Sequence, residues 1–271
     1  MIRVGVVGAA GRMGRLVARA VIDEADLELT AAVDRSHVGH PIGPLVGRPE
    51  IEVPVTDRLE GLREAEVDVA VDFTHPDVVL ETIAYCVAHG VHAVVGTSGF
   101  DAGRLDRLRA SVGAAGGAAN VLVAPNFALG AVLMQRFAAE AARHLPDVEI
   151  VELHHDGKAD APSGTAIATA ARIAEARGAG GGPTARPSDA SPARGQDIAG
   201  VRVHAIRLPG LVAHQEVLFG GPGETLAIRH DTTDRAAFVP GVLLAIRRVA
   251  GTPGLTVGLE ALLDDGPARP R

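Results

Sequence analysis

The segment Val4-Gly-Val-Val-Gly8-Ala-Ala-Gly11-Arg-Met-Gly14 constrains the fold more than any other stretch of this chain. Ile2–Val7 is a short apolar run of strand character, and a helical pattern runs from about Arg12 to Glu24. The glycines between them permit a tight turn and a close backbone approach to a bound group. The helix start that follows offers free amides and the positive end of its dipole to an anion. Leu27–Val33 reads as the next strand and ends at Asp34, about 20 residues beyond Gly14, where a dinucleotide fold places an acid for ribose hydroxyls. The glycine spacing is G-x-x-G-x-x-G where G-x-G-x-x-G is usual, so the reading rests on strand, loop, helix and acid lying in register. Arg35 comes next and suits a 2′-phosphate, which leaves the choice between NADH and NADPH open.

Strands and helices keep alternating downstream. Val67–Phe73, His92–Val95 and Val121–Ala124 read as strands, with helices over Pro76–His89 and Ala102–Ala115. That alternation predicts an α/β fold, a Rossmann-like doubly wound parallel sheet with helices on both faces. Phe73-Thr74-His75, Gly96-Thr97-Ser98 and Ala124-Pro125-Asn126-Phe127 then fall just past strand carboxyl ends, where such sheets bind ligands.

The texture changes after Pro125. Leu129–His144 reads as a helix, Val148–His154 as a strand and Ser163–Arg177 as a second helix. Gly178–Gly200 reads as a long surface loop or partly disordered segment. Val201–Leu208, Val212–Phe219 and Glu224–Asp231 read as a mostly antiparallel meander, and Phe238–Val249 as a closing amphipathic helix. The expected plan is a dinucleotide domain of residues 1–126 and 234–271. An inserted α+β domain, residues 127–233, would carry substrate binding.

Composition narrows the function. A net charge of −7 and 3% aromatic residues argue against phosphate-backbone binding and base stacking. No nucleic-acid or membrane partner is expected. The single cysteine, Cys86, reads as a small core residue in a reducing compartment. With no membrane-length apolar run and no leader pattern at the start, a cytoplasmic location is expected.

Lys158 is the one lysine among 26 basic side chains. An ammonium can give up a proton when partly desolvated, whereas a guanidinium stays charged. It lies in Glu152-Leu-His154-His155-Asp-Gly-Lys158-Ala-Asp-Ala-Pro-Ser163-Gly164-Thr165. Ser163 is a good N-cap, and the amides of Gly164 and Thr165 fall in the first helical turn, a site suited to a carboxylate. His154, His155 and Lys158 overhang it as proton donors. An alternative reads Glu152, His154, His155 and Asp156 as metal ligands, but their spacing matches no familiar site, and no metal is expected. His75, His92, His204, His214 and His230 read as packing or surface residues.

These segments, with Arg207-Leu-Pro-Gly-Leu-Val-Ala-His-Gln-Glu-Val-Leu-Phe219, resemble the 4-hydroxy-tetrahydrodipicolinate reductase (dihydrodipicolinate reductase) family from Ile2 to about Leu263. The resemblance implies reduction of a small cyclic dicarboxylate by NADH and/or NADPH in lysine/diaminopimelate biosynthesis. It implies that His154 is the catalytic proton donor/acceptor and Lys158 a proton donor, with His155, Ser163, Gly164 and Thr165 binding the dicarboxylate. Gly8, Ala9, Ala10, Gly11, Arg12, Met13, Asp34, Arg35, Gly96, Thr97, Ser98, Ala124, Pro125, Asn126 and Phe127 would bind the cofactor, with Phe73 and Thr74 at the neighbouring strand end. Asp34 beside Arg35 looks like a dual NADH/NADPH enzyme. The family is homotetrameric through its inserted domains, and its two domains close on each other. The alternatives are a different Rossmann-type amino-acid or semialdehyde dehydrogenase and a non-catalytic NAD(P)H-binding sensor.

Overall fold

A computed structural model describes residues 1–97, 99–178 and 191–263, arranged as two compact units. One unit comprises Met1–Phe127 with the described chain from Phe238 onward; the other is Ala128–Ala237.

The first unit is built on a parallel sheet of β1 (Ile2–Val7), β2 (Leu27–Val33), β3 (Val55–Thr56), β4 (Val69–Asp72), β5 (His92–Val95), β6 (Val121–Val123) and β12 (Leu255–Val257). Its strand order is β12-β6-β5-β4-β1-β2-β3. The central strands are Val- and Ala-rich because helices cover both faces, so both alternations must be apolar. Val4, Val6, Val71, Val94 and Val121 are fully buried. The helices are α1 (Arg12–Asp23), α2 (Glu60–Glu64), α3 (Val79–His89), α4 (Ala102–Ala114), α7 (Val239–Arg248) and α8 (Glu260–Leu263). β1 pairs with β2 on one side and β4 on the other, which makes its carboxyl end the point where the strand order reverses. A crevice opens there in sheets of this kind. Two glycines make the turn at that point. Gly8 sits at φ +80°, and a Cβ on Gly14 would be driven into the Gly8 carbonyl.

The second unit carries α5 (Leu129–Ala142) and α6 (Gly164–Arg177) and a sheet of β7 (Asp147–His154), β8 (Gln196–Ile198), β9 (Val201–Arg207), β10 (Ala213–Gly221) and β11 (Glu224–Thr232). The strand order is β11-β10-β7-β9-β8. Met134 and Ala138 of α5 and Ala170 and Ile173 of α6 share a core with Ile150, Val203, Val217 and Phe219 of the sheet.

The structure adds β3, α2, β12 and α8, which the sequence reading did not propose, and departs from that reading in three further respects. The expected meander is split, because β7 enters between β9 and β10 and pairs parallel with the former and antiparallel with the latter. The Gly178–Gly200 segment, expected as loop throughout, contains β8, whose Gln196–Ile198 pairs antiparallel with β9; its residues 179–190 lie outside the described set. The helix expected from Pro76 starts at Val79, since the His75 carbonyl closes a turn with the amides of Val78 and Val79.

Candidate active site

The glycine loop and the end of β2 form one construction. α1 begins at Gly11 without a side-chain cap and without an acid in its first turn, which leaves the amides around Arg12 and Met13 to an incoming anion. The amides of Gly8 and Ala9 both reach the Val33 carbonyl, pinning the loop over the strand end. Asp34 Oδ2 accepts the Ala10 amide at 3.0 Å, while Oδ1 accepts the amide and hydroxyl of Ser36 at 2.9 and 2.7 Å. Burial pushes the Asp34 carboxyl up, but the bonds from Ser36 and Ala10 outweigh it and hold the group ionised, below its ordinary value.

A cavity of about 840 Å³ runs from Gly8 and Gly11 past Asp34 and Arg35 to Thr74 and His75, a size ordinary for cofactor sites. Asp72, 1% exposed at the end of β4, ties two strand-end loops together. Its Oδ1 accepts the Thr74 amide at 2.9 Å, the Thr74 hydroxyl at 2.7 Å and the Thr97 hydroxyl at 2.8 Å. Phe73 and Phe127 pack ring to ring at 5.7 Å, and a Cβ on Gly96 would run into the Phe73 ring. Ala124 is buried, with its amide on the Val95 carbonyl; Pro125 is exposed and Asn126 half-buried. Ser98, expected in this set, lies outside the described residues. An uncapped helix start, an ionised acid at the end of β2 and a cavity between them fit a dinucleotide. Gly8 to Met13, Asp34 and Arg35 are the residues that would hold it.

The second unit assembles the other cluster. On β7 the buried alternation Val148, Ile150 continues into Glu152, which is 0% exposed. Glu152 Oε2 meets His154 Nδ1 at 2.6 Å and accepts Arg207 Nη1 at 2.8 Å, and Oε1 accepts Arg207 Nη2 at 2.8 Å and the Ser163 amide at 3.0 Å. Burial pushes Glu152 up, but Arg207 and then His154 outweigh it and keep the carboxyl below its usual range. Burial lowers His154, and the Glu152 carboxylate offsets this only in part. Lys158 Nζ donates to both Asp160 oxygens, at 2.6 and 2.8 Å, and holds that carboxyl low. His155 is exposed. Ser163 is buried, its hydroxyl accepting the Ala166 amide at 3.2 Å as a helix cap. Gly164 begins α6 exposed, and a Cβ there would meet nothing within 4 Å.

Thus His154, Ser163 and the head of α6 converge on one carboxylate, and Lys158 joins them through Asp160, whose carbonyl accepts Arg207 Nη2 at 2.7 Å. Sequence reasoning considered Glu152 only as a metal ligand and gave Arg207 and Asp72 no role. The signal for Glu152 and Asp72 was a charge at a position whose strand period demands an apolar side chain. Arg207 carried no comparable signal. Among the described residues, no group of three or more His, Cys, Asp or Glu is placed to hold a metal ion.

Family models for "Dihydrodipicolinate reductase, N-terminus" and "Dihydrodipicolinate reductase, C-terminus" match residues 2–127 and 130–263. The chain belongs to the dihydrodipicolinate reductase family. The 4-hydroxy-tetrahydrodipicolinate reductase of Nocardia farcinica is 54% identical over 97% of this chain and 99% of its own length. The Mycolicibacterium smegmatis protein of the same name is 51% identical, with the same coverage of 97% and 99%. A solved dipicolinate-bound dihydrodipicolinate reductase from Paenisporosarcina sp. TG-14 superposes with a TM-score of 0.83 at 40% identity, covering 97% of this chain and 100% of that one. As a dihydrodipicolinate reductase family member, the chain is an NAD(P)H-dependent oxidoreductase with a Rossmann-like sheet and a second, mixed-sheet unit.

Proposed function

We propose that this chain reduces 4-hydroxy-tetrahydrodipicolinate to tetrahydrodipicolinate, with loss of water, in lysine/diaminopimelate biosynthesis, and that His154 and Lys158 carry its proton transfers. The observation that carries the assignment is the convergence of His154 and the head of α6 on the single buried carboxylate of Glu152. With Nδ1 engaged by Glu152, the Nε2 of His154 is the ring atom left to meet a substrate. The amides of Gly164 and Thr165 at the start of α6, together with the exposed His155, bind a substrate carboxylate. The dipicolinate held by the Paenisporosarcina relative is a ligand of that chemical class.

A bound nicotinamide supplies the hydride. The chain's residues do the rest: the first unit holds the dinucleotide through the glycine loop, Asp34 and the strand ends Phe73–Thr74, Gly96–Thr97 and Ala124–Phe127. The second unit, residues 128–237 in the structure, binds the dicarboxylate and delivers protons from His154 Nε2 and Lys158 Nζ. A positioned acid contributes about 10² to 10⁴ in rate. We place the reaction in the cytoplasm and assign association as a homotetramer to the second unit, whose β10 and β11 leave Leu218 and Leu226 exposed; sedimentation velocity reads the latter directly.

The decisive assay follows loss of reduced-nicotinamide absorbance with substrate generated in place from pyruvate and aspartate semialdehyde by a synthase. NADH and NADPH are run in parallel, with Lys158→Ala as control. Oxidation that requires substrate and disappears in the variant supports the reading. Cofactor binding without oxidation overturns it.

A further inference from the structure

Glu152 is as fully buried as its apolar neighbour Ile150, both 0% exposed. A carboxylate in that setting is costly unless its lone pairs are met, so its partners reveal its use. Every hydrogen bond described for it comes from a group at the candidate site: His154 Nδ1, Arg207 through both terminal nitrogens, and the Ser163 amide. Arg207 stands directly opposite His154 in the β7–β9 ladder, which puts its guanidinium on the same face of the sheet. Its Nη2 reaches onward to the Asp160 carbonyl at 2.7 Å, and the Asp160 side chain holds Lys158. An ion pair serving only to join two strands has no reason to reach a proton donor, a helix start and a loop together.

We propose that Glu152 and Arg207 form a positioning pair for the reaction. Glu152 sets the orientation and tautomer of His154, and Arg207 locks that carboxylate and the Lys158 loop into register with the head of α6. The inference rests on the reading of His154 as a proton donor. Neither residue is assigned a contact with substrate; both act through the groups they hold. The geometry suits this: a planar guanidinium meets a carboxylate through two parallel bonds, which fixes direction as well as distance.

The charged groups that act on His154 are Glu152 on its own strand, Arg207 on β9 and Lys158 in the following loop, with Asp160 facing the last two. From β10, the neutral Ala213 pairs with His154 and the neutral Gln215 with Glu152. Glu152→Gln therefore removes the negative charge next to the imidazole while Arg207 and Lys158 remain. His154 then holds its proton less firmly, and any rate that needs it protonated falls away at a lower pH.

The test uses the full-length protein and two variants, Glu152→Gln and Arg207→Lys. It combines NMR titration of His154 with kcat and KM across pH. In Glu152→Gln the His154 titration should move down by about 1 to 3 pH units, the size of shift a single neighbouring charge produces. The alkaline limb of kcat should move with it, lowering turnover near neutrality about 10- to 100-fold and leaving the KM for reduced nicotinamide unchanged. Arg207→Lys keeps the charge without the fork; it should raise the substrate KM and move the same titration in the same direction by less. It also supplies the reading if Glu152→Gln does not fold. An unmoved His154 titration with intact turnover in the folded variants overturns the positioning role and leaves the proton-donor reading standing. A titration that moves while turnover does not overturns the proton-donor reading, and with it the catalytic meaning of the pair.

Discussion

The amide of Ala10 donates to Asp34 Oδ2 at 3.0 Å, so the acid at the end of β2 anchors the glycine loop at the same time as it faces the cavity. A carboxylate offers about four lone-pair sites. The Ala10 amide and the amide and hydroxyl of Ser36 occupy three, which leaves room for a ribose hydroxyl. Asp34→Ala should raise the KM for NADH about tenfold, equivalent to about 1.4 kcal/mol. The KM for NADPH should rise less, because Arg35, proposed to meet its 2′-phosphate, is unchanged. Parallel steady-state titrations with the two cofactors check this. Equal increases would assign Asp34 to loop anchoring alone.

Gly164 separates binding from stability. A Cβ at this position meets nothing within 4 Å in the protein, and Ala is the better helix former by up to about 1 kcal/mol. Gly164→Ala should therefore leave the melting temperature unchanged or slightly raised. The same methyl would stand over the first-turn amides proposed to receive a substrate carboxylate, and the substrate KM should rise about tenfold or more. Calorimetry beside steady-state kinetics gives both readings. An unchanged KM would place the carboxylate elsewhere.

The parallel sheet was legible because its central strands are buried on both faces, and β1, β4, β5 and β6 read as apolar runs bounded by glycine and polar loops. The glycine loop and Asp34 were legible for a related reason: their chemistry is local, within one strand–turn–helix unit. Partnership between distant strands was not. β9 and β10 are joined by a short loop that invites a hairpin, yet β7 takes the place between them, at the centre of the sheet face that α5 and α6 cover. The same hidden pairing conceals Arg207, which gains meaning only when β9 lies beside β7 and puts it opposite His154. β3 and β8, with 2 and 3 residues, are too short to show any periodicity.

Arg247 on α7 closes the first unit by gripping the turn between α1 and β2. Its Nε and Nη2 donate to Asp26 at 2.7 Å each, and Nη2 also reaches Glu24 at 2.6 Å. The Arg247 guanidinium holds the Asp26 carboxyl below its usual range. A depressed folded value stabilises the fold at pH above the unfolded value of about 3.9, and that contribution is lost as pH falls through the folded value. The groups are partly solvated and screened, so Arg247→Met should cost about 0.5 to 1 kcal/mol at pH 7. In urea titrations the difference between variant and parent should close as pH drops below about 4. A gap of the same size at pH 3 would mean that Arg247 acts through packing of its alkyl stem.

Lys158 is held by both oxygens of Asp160, at 2.6 and 2.8 Å, so the chain's one lysine ammonium is already oriented before substrate arrives. An arginine at this position keeps the charge and the partner but does not release a proton at working pH. Lys158→Ala should lose turnover by about 10² to 10⁴, the range of a positioned acid. Lys158→Arg should lose nearly as much in kcat while largely retaining substrate KM, since the positive charge proposed to lie near the dicarboxylate survives. Single-turnover oxidation of bound reduced nicotinamide isolates the chemical step from product release. If Lys158→Arg keeps near-parental single-turnover rates, the residue acts as a fixed charge, and proton delivery falls to His154 alone.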